Sequence, residues 1–186
     1  MKKIALFALL AACVTVTAAE HAIAARKNSE QPSSFYEPQR SGFIKCVKNA
    51  QGKLVFRVDA KAAARKLISG RRIAIGENDA LTLRLTINSR AESTIGAGFY
   101  IYCQVGKNAR HLGAVNQPVF KIVPGRKVYE FTKTVPPNKK AKSAFEKPSI
   151  GLIFFDFRKG SDLDVEKIEY FVKKAPKAAA PAIPDF

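Results

Sequence analysis

Strict alternation of apolar and polar residues in short segments constrains the fold of this chain more than any other feature. In Ala80–Ile87, leucine and isoleucine occupy every second position. In Gly98–Val105, apolar residues alternate with Tyr100, Tyr102 and Gln104. Because successive side chains of a β-strand point to opposite faces, this pattern predicts antiparallel strands with one buried and one solvated face.

The same pattern recurs along the chain between turn-forming residues. The predicted strands cover Phe43–Val47, Leu54–Val58, Ala80–Ile87, Gly98–Val105, Leu112–Val115, Val119–Val123, Val128–Val135, Ile150–Phe157 and Val165–Val172. The first two flank a turn at 49–52 and predict a hairpin. Ala60–Ile68, ended by Gly70, is the one predicted helix. About eight or nine short strands with one short helix predict an all-β, antiparallel sandwich or barrel.

One predicted strand is apolar on both faces. In Ile150–Phe157, Leu152 and Phe154 lie opposite Ile153, Phe155 and Phe157. Such a strand is typical of the centre of a sheet that is covered on both sides. The cover on its second face could be the predicted helix, the N-terminal arm or a partner protein.

The N-terminus has the three parts of a signal peptide. A positive start at Lys2 and Lys3 precedes the apolar run Ile4–Val16, and Ala18 and Ala19 supply a small-residue cleavage site. We therefore expect residues 1–19 to be removed and the protein to be secreted or periplasmic. The run is too short to anchor the chain across a bilayer.

An alternative interpretation of the leader is a lipobox at 10–13, in which Cys13 would be lipidated and tether the protein to a membrane. The apolar run continues past Cys13, which favours simple cleavage. Residues 20–40 are polar and rich in Ser and Pro, and predict an N-terminal arm or linker. Residues 41–173 form the predicted sandwich domain, and residues 174–186 a disordered Lys/Ala/Pro-rich tail.

The chain is strongly basic, with 32 Lys and Arg against 15 Asp and Glu and a formal net charge of +17. A field of this sign attracts anionic partners. Outside the cytoplasm these are acidic glycans or other envelope polymers, anionic lipid headgroups and extracellular nucleic acid. Solubility and general adhesion to negative surfaces explain the charge equally well. Export argues against nucleic acid, and a membrane becomes a partner only if Cys13 is lipidated.

Two cysteines remain after leader removal, Cys46 and Cys103. In an oxidising compartment an isolated pair is a candidate disulfide. The alternative is a pair of buried free thiols, because cysteine packs as a small hydrophobic residue. Both interpretations place the two side chains inside the fold.

The sequence offers little for catalysis, and we expect no enzyme and no cofactor. His111 is the one histidine in the body of the chain, and no nucleophile, metalloprotease or phosphate-loop motif accompanies it. Asp156 would be the first candidate for a paired-carboxylate site. Asp162, Asp164 and Glu166 have the spacing of oxygen ligands on one strand face, but a solvated acidic turn is the favoured interpretation and we expect no metal.

The residues best suited to binding are Tyr100, Tyr102 and Gln104, which share one face of a strand. Tyrosine combines a flat apolar ring with a hydroxyl, so it can stack on a sugar and hydrogen-bond its edge. Arg84, on the polar face of an earlier strand, could border the same surface. The alternative is that the tyrosines only cover the outer sheet or pack under the predicted helix.

Three segments resemble the carbohydrate-binding-module branch of the galactose-binding-like jelly rolls. Residues 80–87 resemble an early strand of that family, residues 122–131 its proline-glycine turn and aromatic strand, and residues 149–157 with 165–170 its closing pair of strands. The resemblance covers about half of the chain and implies a jelly-roll sandwich that binds carbohydrate. Many such modules use tryptophan platforms, and this chain has no Trp.

These observations predict an exported, non-enzymatic module that recognises a glycan, with an acidic glycan favoured by the charge. The alternative function is that of a cell-envelope structural or assembly protein, whose surfaces would bind another protein or an anionic surface.

Overall fold

The protein is described from a computed structural model, which covers residues 28–29, 35–38, 42–61, 63–105, 107–139, 141 and 146–176. The predicted leader 1–19, with Cys13, lies outside the described residues, as does most of the predicted tail. Within these ranges there is no α-helix, and so no helix that could span a bilayer.

The described residues form twelve strands. They are β1 (Asn28–Ser29), β2 (Phe35–Tyr36), β3 (Ile44–Lys48), β4 (Leu54–Ala60), β5 (Arg65–Ser69), β6 (Ile73–Ala74), β7 (Ala80–Ser89), β8 (Ser93–Val105), β9 (Asn108–Ile122), β10 (Gly125–Thr134), β11 (Pro148–Phe157) and β12 (Ser161–Lys173). Nine of them are five residues or longer.

The strands form two antiparallel six-stranded sheets that pack as a jelly-roll sandwich. Sheet A has the order β10-β7-β12-β4-β3, and β1 also pairs with β12. Sheet B has the order β2-β5-β11-β8-β9, and β6 also pairs with β11. The predicted all-β antiparallel sandwich is therefore confirmed.

The core lies between the sheets, where the alternation of the sequence places it. The three leucines and the isoleucine of β7 within Ala80–Ile87 are fully buried, as are Phe99, Phe155 and Phe157. Complete burial of such a side chain stabilises the fold by about 1.5–3 kcal/mol.

The predicted helix over Ala60–Ile68 is wrong. Ala60 ends β4, and Arg65–Ser69 forms β5. In β5, Leu67 lies opposite Phe155 of β11 and is 2% exposed. Pairing with a central strand and burial of alternate side chains outweigh the helical propensity of the alanines that precede β5.

The two strands predicted at Leu112–Val115 and Val119–Val123 are one strand, β9, which pairs with β8 through two register irregularities. The close approach of these strands depends on Gly98. A Cβ atom there would lie 2.5 Å from the Val115 carbonyl oxygen. Only glycine fits this position without a backbone shift.

Strand β11 is central in sheet B, as its two apolar faces predict. The cover on its second face is not a helix. Phe154 points outward, is 3% exposed and is stacked by Tyr100 of the adjacent β8.

Of the two alternatives for Cys46 and Cys103, a disulfide or two buried free thiols, the structure has free thiols, and the expected burial is correct only for Cys103. Cys46 lies exposed on β3, at the edge of sheet A, while Cys103 is buried on β8 of sheet B. Alternation placed both on an apolar side of a strand, but an edge strand leaves that side open.

Parts of the predicted arm and tail contribute to the sandwich. Phe35 packs into the core with its ring centroid 5.5 Å from that of Phe56. At the other end, Lys174 Nζ donates to Asp79 Oδ2 at 2.8 Å and the Ala175 amide donates to Oδ1 at 3.0 Å. Ordered contacts therefore extend beyond both ends of the predicted domain.

Candidate functional site

The outer face of sheet B carries a cluster of aromatic side chains contributed by four strands. We call it the aromatic face, and it consists of Tyr36, Tyr100, Tyr102, His111 and Phe154. Its inward-pointing neighbours on β8 are buried core residues, so the alternation of the strand directs Tyr100 and Tyr102 outward. The cross-strand register then places His111 opposite Tyr102.

Tyr100 is the centre of this face. Its ring stacks on Phe154 with a centroid distance of 4.3 Å and an interplanar angle of 22°, and it meets His111 edge-on at 5.6 Å. Its hydroxyl accepts a hydrogen bond of 2.9 Å from Lys66 Nζ. The ring is therefore held in one orientation from both sides and at its tip.

Lys66 brings a fixed positive charge to the aromatic face. The hydrogen bond to Tyr100 raises the pKa of Lys66 against the opposing effect of burial, and Asp156, 3.4 Å away, adds to the increase. The ammonium therefore remains protonated at any physiological pH. Its charge is offset by the Asp156 carboxylate, the residue that the sequence offered as a first catalytic candidate.

Tyr102 lies beside His111 with a centroid distance of 5.1 Å. Burial raises the pKa of Tyr102, and the neighbouring Tyr100 and Tyr36 phenols raise it further. The hydroxyl is therefore neutral at physiological pH and can both donate and accept a hydrogen bond.

Sequence reasoning missed Tyr36, which extends the face from β2. Its partner in the register is Ile68 of β5, and its side chain is 51% exposed. The partly buried Phe35 beside it packs against the core and supplies the inward half of the alternation. A two-residue strand is too short for a periodic signal, although the exposed aromatic next to an apolar residue is a weak one.

Gln104 lies at the end of the face, near the β8–β9 turn, and is half-buried. Its backbone amide donates to Ser149 Oγ at 3.1 Å, which ties this end of β8 to β11. The structure thus groups Tyr100, Tyr102 and Gln104 on one face, as the alternation predicts.

Arg84 does not border this surface, and that expectation is wrong. It lies on the outer face of sheet A, on the opposite side of the sandwich, where it pairs with Glu130. Alternation identifies the outward side chains of a strand but not the sheet to which the strand belongs.

The acidic residues of β12 are held by basic partners. Asp164 accepts hydrogen bonds from Arg57, Asp162 accepts one from Arg90, and Glu166 accepts one from Arg126. In the described part of the chain, no group of three or more His, Cys, Asp or Glu side chains could hold a metal ion.

The aromatic face combines flat rings with polar groups at their edges. The rings and their aliphatic neighbours offer contact to the C–H face of a planar ligand, while three phenols, an imidazole and the Lys66 ammonium supply hydrogen-bond donors and acceptors. The arrangement is that of a binding platform for ligands that have one apolar and one hydroxylated side.

No family model matches the sequence, and no curated protein matches it.

Solved structures do share its fold. A family 35 carbohydrate-binding module from Clostridium thermocellum aligns with a TM-score of 0.50 and 9% identity, over 81% of this chain and all of that one. The N-terminal CBM22-1-GH10 modules of Clostridium thermocellum xylanase 10B, complexed with xylohexaose, align with a TM-score of 0.50 and 10% identity. That match covers 81% of this chain and 28% of the two-module chain. The fold is thus the jelly roll of carbohydrate-binding modules.

Proposed function

We propose that this protein is an exported, non-catalytic module that binds a glycan chain on the aromatic face. The observation that carries the proposal is that exposed Tyr36 and half-buried Tyr100 and Tyr102, the latter two in contact with His111, share one side of sheet B. The jelly-roll fold adds support, since structures of this fold include carbohydrate-binding modules. Stacked rings with polar edges match the two sides of a pyranose.

An acidic glycan is the favoured ligand class. The chain carries 17 more positive than negative charges. Exposed Arg72 adjoins β6, which pairs with β11 at the aromatic face, and exposed Lys107 and Arg110 lie at the turn end of β8 and β9. These cations would draw a polyanion toward the face, and salt would screen the attraction beyond about 8 Å at physiological ionic strength.

We propose simple cleavage after the leader and release into the periplasm or medium. Substituting Cys13→Ser should leave processing and location unchanged, because ordinary cleavage does not need the thiol. Accumulation of an uncleaved, membrane-bound precursor in this variant would establish a lipoprotein instead.

A direct test combines a glycan array with variants of Tyr100. Tyr100→Ala should weaken binding to the best array ligand about tenfold to a hundredfold, through loss of ring stacking. Tyr100→Phe keeps the ring and should lose less. Leu54→Ala, which truncates a half-exposed apolar side chain of sheet A, is the matched control and should bind like the wild type.

The salt dependence separates acidic from neutral ligands. Binding to polygalacturonate should weaken steeply between low and high salt, whereas binding to xylan should change little. Folded protein that binds no glycan saturably, or that binds equally well after Tyr100→Ala, contradicts the proposed function.

A further inference from the structure

The outer face of sheet A also carries an aromatic side chain among polar groups. Thr82 of β7 lies between Phe171 of β12 and Thr132 of β10 in the cross-strand register. The two threonine hydroxyls are 2.7 Å apart. In the next row, Arg84 lies between Glu130 and Glu169 in the same way.

Small side chains leave a hollow on this face. Ala80 lies opposite Lys173 of β12, at the end of the row beside Phe171. The space bounded by these residues, with Thr82 and Arg84 alongside, has a volume of about 280 Å³. It is large enough for one pyranose ring but open on its outer side, as a surface subsite for a polymer must be.

The groups around the hollow match the chemistry of a sugar. Phe171 offers an apolar ring, and the Arg84 guanidinium lies over that ring at 5.2 Å from its centroid. The Thr82 and Thr132 hydroxyls can each donate and accept, which suits the hydroxyls of a pyranose edge. The Arg84–Glu130 pair adds a donor next to an acceptor, and charge-assisted hydrogen bonds are the stronger kind.

The charge of the hollow favours an uncharged ligand. The Glu130 carboxylate already neutralises Arg84, so an acidic sugar would have to compete with it. The remaining cation, Lys173, repels a cationic ligand. A neutral saccharide replaces water at these groups without breaking the ion pair.

We propose that this hollow is a second saccharide subsite, specific for neutral sugar units and independent of the aromatic face. It goes beyond the proposed function because it makes the module bivalent. The two sheets of a sandwich lie about 10 Å apart, and the two sites face away from each other. One short ligand cannot reach both, so the module would bridge two polymer chains.

The test uses the full mature chain with xylohexaose as the probe in titration calorimetry, and xylan-coated beads as the probe of bridging. The wild type should bind two equivalents and aggregate the beads. Phe171→Ala and Thr132→Val should each reduce the stoichiometry from two to one and abolish aggregation, with at least a tenfold loss of retention on the beads. Thr134→Val, on the same face of the same strand but outside the hollow, is the matched control and should behave like the wild type.

Circular dichroism checks that each variant is folded. If Phe171→Ala disturbs the fold, Thr132→Val still tests the hollow, because valine has nearly the same shape as threonine. One outcome overturns the second site and leaves the proposed function intact. In it, the wild type binds one equivalent of xylohexaose, Tyr100→Ala abolishes this binding, and Phe171→Ala leaves it unchanged. Xylohexaose binding that survives Tyr100→Ala but is lost in Phe171→Ala establishes the second site and shows that the aromatic face does not bind this neutral probe, and a failure of polygalacturonate and the array to bind would then overturn the proposed function. Absence of any xylohexaose or xylan binding overturns the second site, while the array and polygalacturonate still test the aromatic face.

Discussion

Asp79 is the residue that fastens the C-terminal end of the described chain to the sandwich. It is 3% exposed, and its carboxylate accepts hydrogen bonds from the amides of Gly76 and Ala175 and from Lys174 Nζ. Its own backbone carbonyl accepts from Val135. A buried carboxylate is tolerated here because each oxygen has a donor.

Asp79→Asn should destabilise the protein by about 2 kcal/mol, because charge-assisted bonds to three donors are weakened and the amide nitrogen faces another donor. Chemical denaturation monitored by circular dichroism measures the change. Asp59→Asn, at an exposed position of β4, is the control and should change stability little. Equal stability of the two variants would show that the Asp79 contacts are dispensable.

Asp162 makes the stability of the fold depend on pH in the acid range. Burial, its largest single influence, raises the pKa of Asp162, but hydrogen bonds from Arg90 and Lys61 together outweigh it and hold the pKa below the ordinary value of 3.8. The ionised carboxylate therefore stabilises the fold above that value, and the contribution is lost as the pH falls through the folded-state pKa.

Asp162→Asn should remove this contribution, so the variant should be less stable than the wild type at neutral pH and the difference should shrink below pH 3.8. Urea midpoints over an acid pH series measure it. A gap between the two proteins that stays constant across the series would rule out the linkage.

The edge strands protect the sandwich from pairing with other chains. Lys127 and Lys133 of β10 lie opposite the buried Ile87 and Leu81, so they occupy inward-pointing positions at the open edge of sheet A. On the other sheet, Pro118 interrupts the hydrogen-bonding capacity of β9. Inward-pointing lysines and edge prolines are known devices against edge-to-edge association.

Replacing both Lys127 and Lys133 with Ile should make the edge of sheet A associative. We expect dimers or larger species in size-exclusion chromatography at concentrations where the wild type elutes as a single smaller species. Lys159→Ile, in an exposed turn between β11 and β12, introduces the same side chain away from an edge. Association by that control to the same degree would mean that surface hydrophobicity alone is responsible.

The positions of several strands could be predicted from the sequence, but their assignment to sheets could not. Period-two alternation located β7 and β8 and identified their buried sides, and a continuous apolar run located β11, because that information is local. It could not assign strands to sheets, so Arg84 was expected beside Tyr100. It also could not foresee β5, since the pairing of Leu67 with Phe155 outweighs local propensity. Tyr36 joins the candidate site through a two-residue strand that only the tertiary structure defines.

The central strand of each sheet comes from late in the chain. Strand β12 lies between β7 and β4 in sheet A, and β11 lies between β5 and β8 in sheet B. The N-terminal strands β3 and β4 therefore join the rest of sheet A only through β12.

A chain that ends at Gly160 should lack a cooperative unfolding transition, because removal of β12 separates β4 from β7 and exposes Leu83 and Leu85. A chain that ends at Pro176 retains every partner of Asp79 and should unfold like the chain that continues to Phe186. Thermal and urea denaturation followed by circular dichroism compare the two. A cooperative transition in the shorter chain would contradict this dependence on β12.

The late position of both central strands also sets when folding can occur during synthesis. Until residues 148–173 have emerged, the earlier strands have no common partner, and long-range pairing of this kind is slow even in the complete chain. At about 5–20 residues per second, synthesis leaves the β3–β4 hairpin without its partner β12 for several seconds. Neither sheet can therefore be completed until late in synthesis, and this delay suits the export that we propose, because threading through a secretion pore requires a chain that has not yet folded.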